Sequence, residues 1–174
     1  MTGPRIPYPD ATEYPEYFGQ YIALVPEGDI LEILASQIED SCALLRSLSP
    51  DRGTHRYAPG KWSINQVIGH LADTERVFTY RALRFSRGDA QALPGFEQDD
   101  WVNAANFDDR TPGDLADEFA AVRAATLTLF RSMNEAMLTR QGIANAWTYP
   151  VHAVPFILAG HERHHLRFLR DRYL

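Results

Sequence analysis

Along four stretches of this chain the apolar residues recur three and four positions apart, and no alternating pattern of useful length competes with them. That spacing puts the apolar side chains on one face of a helix of 3.6 residues per turn, so each stretch must bury a stripe against a neighbour. The first stretch, about Gly28 to Leu48, carries Ile30, Leu34, Ile38, Leu45 and Leu48 and ends before Pro50. The second begins at Ser63, where "SINQ" reads as a capping box, shows Ile64, Val67, Leu71, Phe78 and Phe85, and stops at Gly88. The third starts at "TPGD", with Thr111 as N-cap and Pro112 at the first helical position, and runs through Phe119, Val122, Leu127 and Phe130 to about Thr139. The fourth occupies about Val154 to Tyr173. Four helices of roughly 20 residues, ~30 Å each, imply an all-α four-helix bundle.

Two segments fall outside that pattern. Residues 1–27 hold five of the eleven prolines and half of the eight tyrosines. Proline excludes one long regular helix there, and the aromatic side chains need a surface to pack on. The segment is expected to be an ordered arm on the bundle of residues 28–174, and a disordered leader is the alternative. Between the second and third helices, "DAQALPGFEQDDWVNAANFDD" is expected to be a loop with one short helix at Gln98 to Ala104.

At 174 residues and 45% hydrophobic content the chain suits a single domain with a substantial core. Its formal charge of -6 argues against a nucleic-acid partner, whose phosphates require a positive field. Arg163, Arg167, Arg170 and Arg172 are a local exception, expected on a solvated face near a helix C-terminus. No apolar run suits a bilayer span or a signal peptide, and Cys42, alone in the chain, can form no internal disulfide. A reducing, cytoplasmic setting is the expectation.

Three of the six histidines crowd into "AGHERHHLRFLRDRYL" at the end of the chain. His161 and His165 are four apart and share the apolar stripe of Leu158, Phe168 and Leu169, whereas His164 points towards solvent or the stripe's edge. Two inward imidazoles need a hydrogen bond or a metal, and the pair alone leaves both open. His70, in "VIGHLADTE", lies on the border of the second helix's stripe and can face the same interior. Three imidazoles with open positions suit one divalent ion such as Zn²⁺, Ni²⁺ or Fe²⁺. His55 and His152 lie in or beside loops and are expected on the surface.

"APGKWSINQVIGHLADTERVFTYRALRFSRGD" followed by "AGHERHHLRFLRDRY" resembles the DinB-like superfamily, named for damage-inducible bacterial proteins. The marks are Trp62 before the second helix, His70 one turn or so into it, and the His-x-x-x-His pair on the last. The resemblance spans nearly the whole chain. It implies a four-helix bundle with a divalent metal on His70, His161 and His165, and often a homodimer. It also implies chemistry of one of two kinds, transfer or isomerisation with a low-molecular-weight thiol, or metal-dependent hydrolysis. The implied partner is a small-molecule substrate. A stress-related metal or small-ligand carrier without turnover is the competing reading.

Other constellations are missing: there is no Gly-rich phosphate loop, no Gly-x-Ser-x-Gly elbow and no Cys/Cys pair. Cys42 reads as a buried, inert thiol. Asp73 and Glu75, close after His70, are candidates to orient an imidazole or move a proton, or else to pair with Arg76 or Arg81 on the helix surface. The aromatic residues Trp62, Phe78, Tyr80, Trp101, Trp147 and Tyr149 are either plain core or pocket wall. Of these, Trp147 and Tyr149 are expected nearest the mouth of a site.

Overall fold

In the computed structural model, which describes residues 4–174, the caps and stripes set the helices. Asp29 accepts hydrogen bonds from the Leu31 and Glu32 amides and opens α2 (Ile30–Arg46), after a short α1 (Glu16–Ile22). Ser63 accepts from the Gln66 amide while the Gln66 side chain returns to the Ser63 amide, a complete capping box for α3 (Ile64–Ser86). A small α4 (Gln98–Ala104) follows, and Thr111, bonded to the Asp114 amide, caps α5 (Pro112–Arg131). The last helix, α7 (Val154–Arg172), starts straight from a 3-10 turn over Val151–Ala153.

The four long helices form a ring in which α2 and α3 each pack on both α5 and α7, so α2 stands diagonal to α3. The apolar core falls into two clusters. One gathers the end of α3, the start of α7 and Phe18 and Ile22 of α1, and the other gathers the start of α3, the end of α2 and the end of α7. Between them runs a buried polar seam of Gln37, Ser41, His70, Glu75, Arg123, His161 and Glu162. In it Arg123 donates to both oxygens of Glu75 at 2.7 Å, to Glu162 at 2.8 Å and to the Leu34 carbonyl at 2.9 Å. Glu162 also accepts from Gln37 and Ser41, each at 2.5 Å. The guanidinium thus ties α3 and α7 together through α5.

The third helix is shorter than its apolar pattern suggests. It caps at Ser132, and Asn134 accepts from the Met137 amide to start a separate turn, α6 (Glu135–Leu138). The stretch after it holds an antiparallel hairpin, β1 (Gln141–Ala144) and β2 (Trp147–Pro150), where no strand was expected. Asn145 and Ala146 make its two-residue turn with φ of 52° and 62°, the left-handed conformations such turns require. The loop before α4 is stitched to this hairpin: the Leu93 amide donates to the Ile143 carbonyl at 2.9 Å, and the Asn145 amide donates to the Leu93 carbonyl at 3.0 Å.

Residues 1–3 of the N-terminal arm lie outside the described residues; from residue 4 onward the arm lies on the bundle and buries Ile6, Phe18, Ile22 and Val25. Its helix α1 sits directly on α7 at Gly160, where a Cβ would stand only 2.0 Å from the Tyr21 carbonyl oxygen. Only glycine admits that approach. His152, expected on the surface, is buried: its Nδ1 lies 3.2 Å from the Leu138 carbonyl and its Nε2 3.2 Å from Glu13 of the arm. The 3-10 turn ahead of α7 carries it inward, a feature no periodicity announces.

Candidate metal centre

Position 70 is seven residues past the Ser63 cap and its side chain enters the seam from α3, while His161 and His165 enter it one turn apart from α7. The three imidazoles converge. His161 Nε2 lies 3.2 Å from His70 Nε2 and 3.1 Å from His165 Nε2, and ligand atoms of all three fall within 4.8 Å of one another. His70 and His161 are buried and His165 is half-buried. Trp62 tilts over His70 with ring centroids 4.8 Å apart, and Tyr21 of the arm sets its ring edge-to-face on His161 at 5.4 Å.

Burial disfavours the imidazolium form throughout. It pushes His70 down to about 4, against a smaller opposing pull from Asp99. It pushes His165 to about 3, helped by His70 and His164. His161 lies well below its ordinary range, through burial first and then through the three histidines around it. The rings are therefore neutral at pH 7. A neutral imidazole nitrogen carries either one proton or one lone pair, so His161 Nε2 can make only one good hydrogen bond to its two neighbouring nitrogens. Three lone pairs turned on a single cation would satisfy every ring, and the donor set fits a divalent ion.

The carboxylates singled out from the sequence go elsewhere. Glu75 is buried but faces Arg123, and it pairs with neither Arg76 nor Arg81. Asp73 pairs with Arg76 at 3.2 Å on the outer side of α3, and burial raises its carboxyl despite that partner. Neither appears among the hydrogen-bond partners of a histidine. The group beside His70 is instead the Thr74 hydroxyl, 3.3 Å from Nδ1, one turn along the same face. The i to i+4 spacing from His70 was the available signal. His164 is exposed with its ring edge-on to Tyr21, His55 is exposed, and Cys42 is buried with its thiol against the Ala116 carbonyl at 3.4 Å.

Two cavities flank the cluster. One, of about 250 Å³, reaches His70 and His161 and is walled by Phe18, Tyr21, Phe78, Phe96 and Trp147, with Thr74 and Arg81 on its α3 side. The other, of about 360 Å³, reaches His165 past Trp62, Asp99 and Phe168. Gln98, at the start of α4, lines both. Trp147 thus stands at the cavity as expected, but Tyr149 does not: it is fully buried in the apolar cluster against Phe18, Phe78 and Phe85. Residues two apart on a strand share a face, so both rings pack on Phe18, but Trp147 sits next to the turn at the cavity and Tyr149 lies one step further into the core. Tyr80 points to solvent beside Arg84, and Trp101 is exposed against Phe96.

A ring of four helices with an imidazole cluster in a polar seam of its core defines a class of helical bundle proteins. Within that class the chain belongs to the DinB superfamily, whose pattern it matches over residues 33–169. Its fold is similar to that of YfiT from Bacillus subtilis, a probable metal-dependent hydrolase with an unusual four-helix bundle topology. The TM-score is 0.68 at 14% identity, covering 94% of this chain and 89% of YfiT. It is also similar to the mycothiol-dependent maleylpyruvate isomerase, with a TM-score of 0.66 at 11% identity. That match covers 83% of this chain but only 61% of the isomerase, so the isomerase has a substantial part with no counterpart here. Comparison with functionally curated proteins gave no match.

Proposed function

We propose that this protein is a metal-dependent enzyme in which His70, His161 and His165 hold one divalent ion and a small thiol, or failing that water, is turned against an electrophilic small molecule. The observation that carries the reading is the convergence of three neutral imidazole nitrogens in a seam that opens on two cavities. Bound there, zinc, nickel or iron(II) would supply Lewis acidity, bringing the pKa of a thiol or water to about 7. Similar folds that include a mycothiol-dependent isomerase and a probable metal-dependent hydrolase support the choice between thiol and water as nucleophile.

The chain's own residues would do the rest. Thr74 is placed to accept the Nδ1 proton of His70, which would leave Nε2 as the lone-pair nitrogen. Tyr21 holds the His161 ring from the arm side, and Trp62 covers His70. Phe18, Phe78 and Trp147 keep water from the approach to the two rings. The lone buried Cys42 fits a reducing, cytoplasmic setting, and the same reading includes a homodimer, to be checked by light scattering of the intact chain.

The test begins with metal content after purification and reloading, compared with His70→Ala and His165→Ala. Wild-type stoichiometry in both variants would overturn the ligand set. The loaded protein is then incubated with common bacterial thiols and chlorodinitrobenzene, where conjugation above background that vanishes in His161→Ala is expected. Equal rates with and without metal, across thiols and ester substrates, would leave a binding protein without turnover.

A further inference from the structure

Two arginines are buried among the described residues, Arg81 and Arg123, and they are treated very differently. Arg123 is held by Glu75 and Glu162. Arg81, 5% exposed on α3, has no carboxylate within 4.0 Å among the described residues. Its neighbours are the Pro94 carbonyl, which accepts from Nη2 at 2.9 Å, the buried Tyr149 hydroxyl, and the Phe78 ring, whose centre lies 5.1 Å from the guanidinium carbon. A guanidinium offers five N–H donors in a planar fork, and this one meets only neutral polar groups, the Pro94 carbonyl and the Tyr149 hydroxyl. Burying a cation without a counter-charge is expensive, and removing the partner of a buried charge costs about 3–5 kcal/mol. A ring face offsets only part of that cost.

Arg81 also lines the cavity that reaches His70 and His161. The other charged side chain on that wall is Glu97, which is exposed at the rim and makes no ion pair with it. We infer that Arg81 is the anion-binding end of this cavity, and that the cavity takes a small, flat, largely apolar carboxylate whose far end lies at His70 and His161. This deepens the proposed function, because it names the class of molecule presented to the histidine cluster.

The helix itself sets the size of that molecule. Arg81 stands eleven residues beyond His70, ~16 Å along α3 at ~1.5 Å per residue. Helical side chains lean towards the N-terminus, and the guanidinium lies at Phe78, eight residues beyond His70, so about 12 Å of helix separates the two groups. Subtracting a contact of about 3 Å at each end leaves a body of roughly 6 Å, the span of one ring with a short chain. The rigid aromatic walls select a flat body, and a cavity of about 250 Å³ is too small for a drug-sized ligand. The planar fork favours a carboxylate, which can take two parallel hydrogen bonds.

The test compares 3-phenylpropanoate with 3-phenylpropanamide, equal in shape and different in charge, by titration calorimetry on metal-free and metal-loaded protein. The acid should bind at least about tenfold more tightly than the amide in the wild type, because only it satisfies the buried guanidinium. Arg81→Gln should abolish the preference, Arg81→Lys should retain part of it, and both should keep wild-type metal content. Equal affinity for acid and amide, undiminished acid binding in Arg81→Gln, or no saturable binding of the acid to either form would overturn the inference. The wild-type comparison decides even if Arg81→Gln fails to fold. His70→Ala separates the two readings: a variant that binds metal normally but keeps the acid preference sinks the metal assignment and leaves the pocket standing.

Discussion

Replacing Arg123 by methionine would leave the Glu75 and Glu162 carboxylates buried in the seam with no cation between them. The side chain is fully buried and donates to both acids and to the Leu34 carbonyl, so the substitution strands three acceptors at once. Burial works against the charge of Arg123, but the two carboxylates outweigh it and hold the guanidinium firmly protonated. Removing one partner of a buried ion pair costs about 3–5 kcal/mol. Glu75→Gln is the informative control. It removes one acid yet keeps a balanced pair between Arg123 and Glu162, and should cost about 1.5–3 kcal/mol, the scale of one charged hydrogen bond. In a domain of this size each kcal/mol lowers Tm by about 2–4 °C, so Arg123→Met should fall by roughly 6–20 °C. The assay is urea unfolding of both variants with the slope checked against wild type. An Arg123→Met cost below about 1 kcal/mol, or a larger cost for Glu75→Gln, would refute the idea that this guanidinium pins α3 to α7.

Further outcomes are expected. Gly160→Val should push α1 off α7, because its Cβ would meet the Tyr21 carbonyl; the cost should be about 1–3 kcal/mol, with a shifted Trp147 fluorescence as α1 lets go. Thr74→Val should weaken metal retention by about 10–100-fold in a chelator competition while leaving the fold intact by circular dichroism. The metal-free protein should be acid-labile. His70 and His165 have folded-state pKa values below their ordinary 6.5, so the unfolded chain takes up protons first as pH falls. Their contribution is intact above pH 6.5 and is lost progressively towards pH 4, at about 2 kcal/mol per ring by pH 5. Denaturant midpoints that stay flat from pH 7 to 5 in chelator would contradict it.

The bundle was legible because its signals are local: Ser63 and Thr111 announce helix starts, and the apolar stripes announce the buried faces. The histidine cluster was legible for the same reason, since the phase of His161 and His165 on one stripe and of His70 on another points all three inward. What depends on partners distant in sequence was not. Asp73 and Glu75 read alike after His70, yet two residues turn a helix by about 200°, so one faces solvent and the other faces Arg123 on α5. Nothing in the chain distinguishes Arg81 from Arg123 before the loop at Pro94 and the two acids are in place. The hairpin escaped because its turn is Asn145-Ala146, without the glycine that usually marks one, and its strands are four residues long.

The tie between Leu93 and the hairpin has a consequence for how this protein can change. The histidines, their helices and the ion-paired seam all belong to the ring, whereas the loop carrying Pro94 and Phe96 and the hairpin carrying Trp147 hang together outside it. The base of that pair is part of the core, with Leu93, Ala144 and Tyr149 buried and Gly142 against Phe85 of α3, so length and sequence can vary only at its tips, around Asn145-Ala146 and Phe96. A designer wishing to redirect this pocket to a different ligand would graft there and leave the three imidazoles untouched.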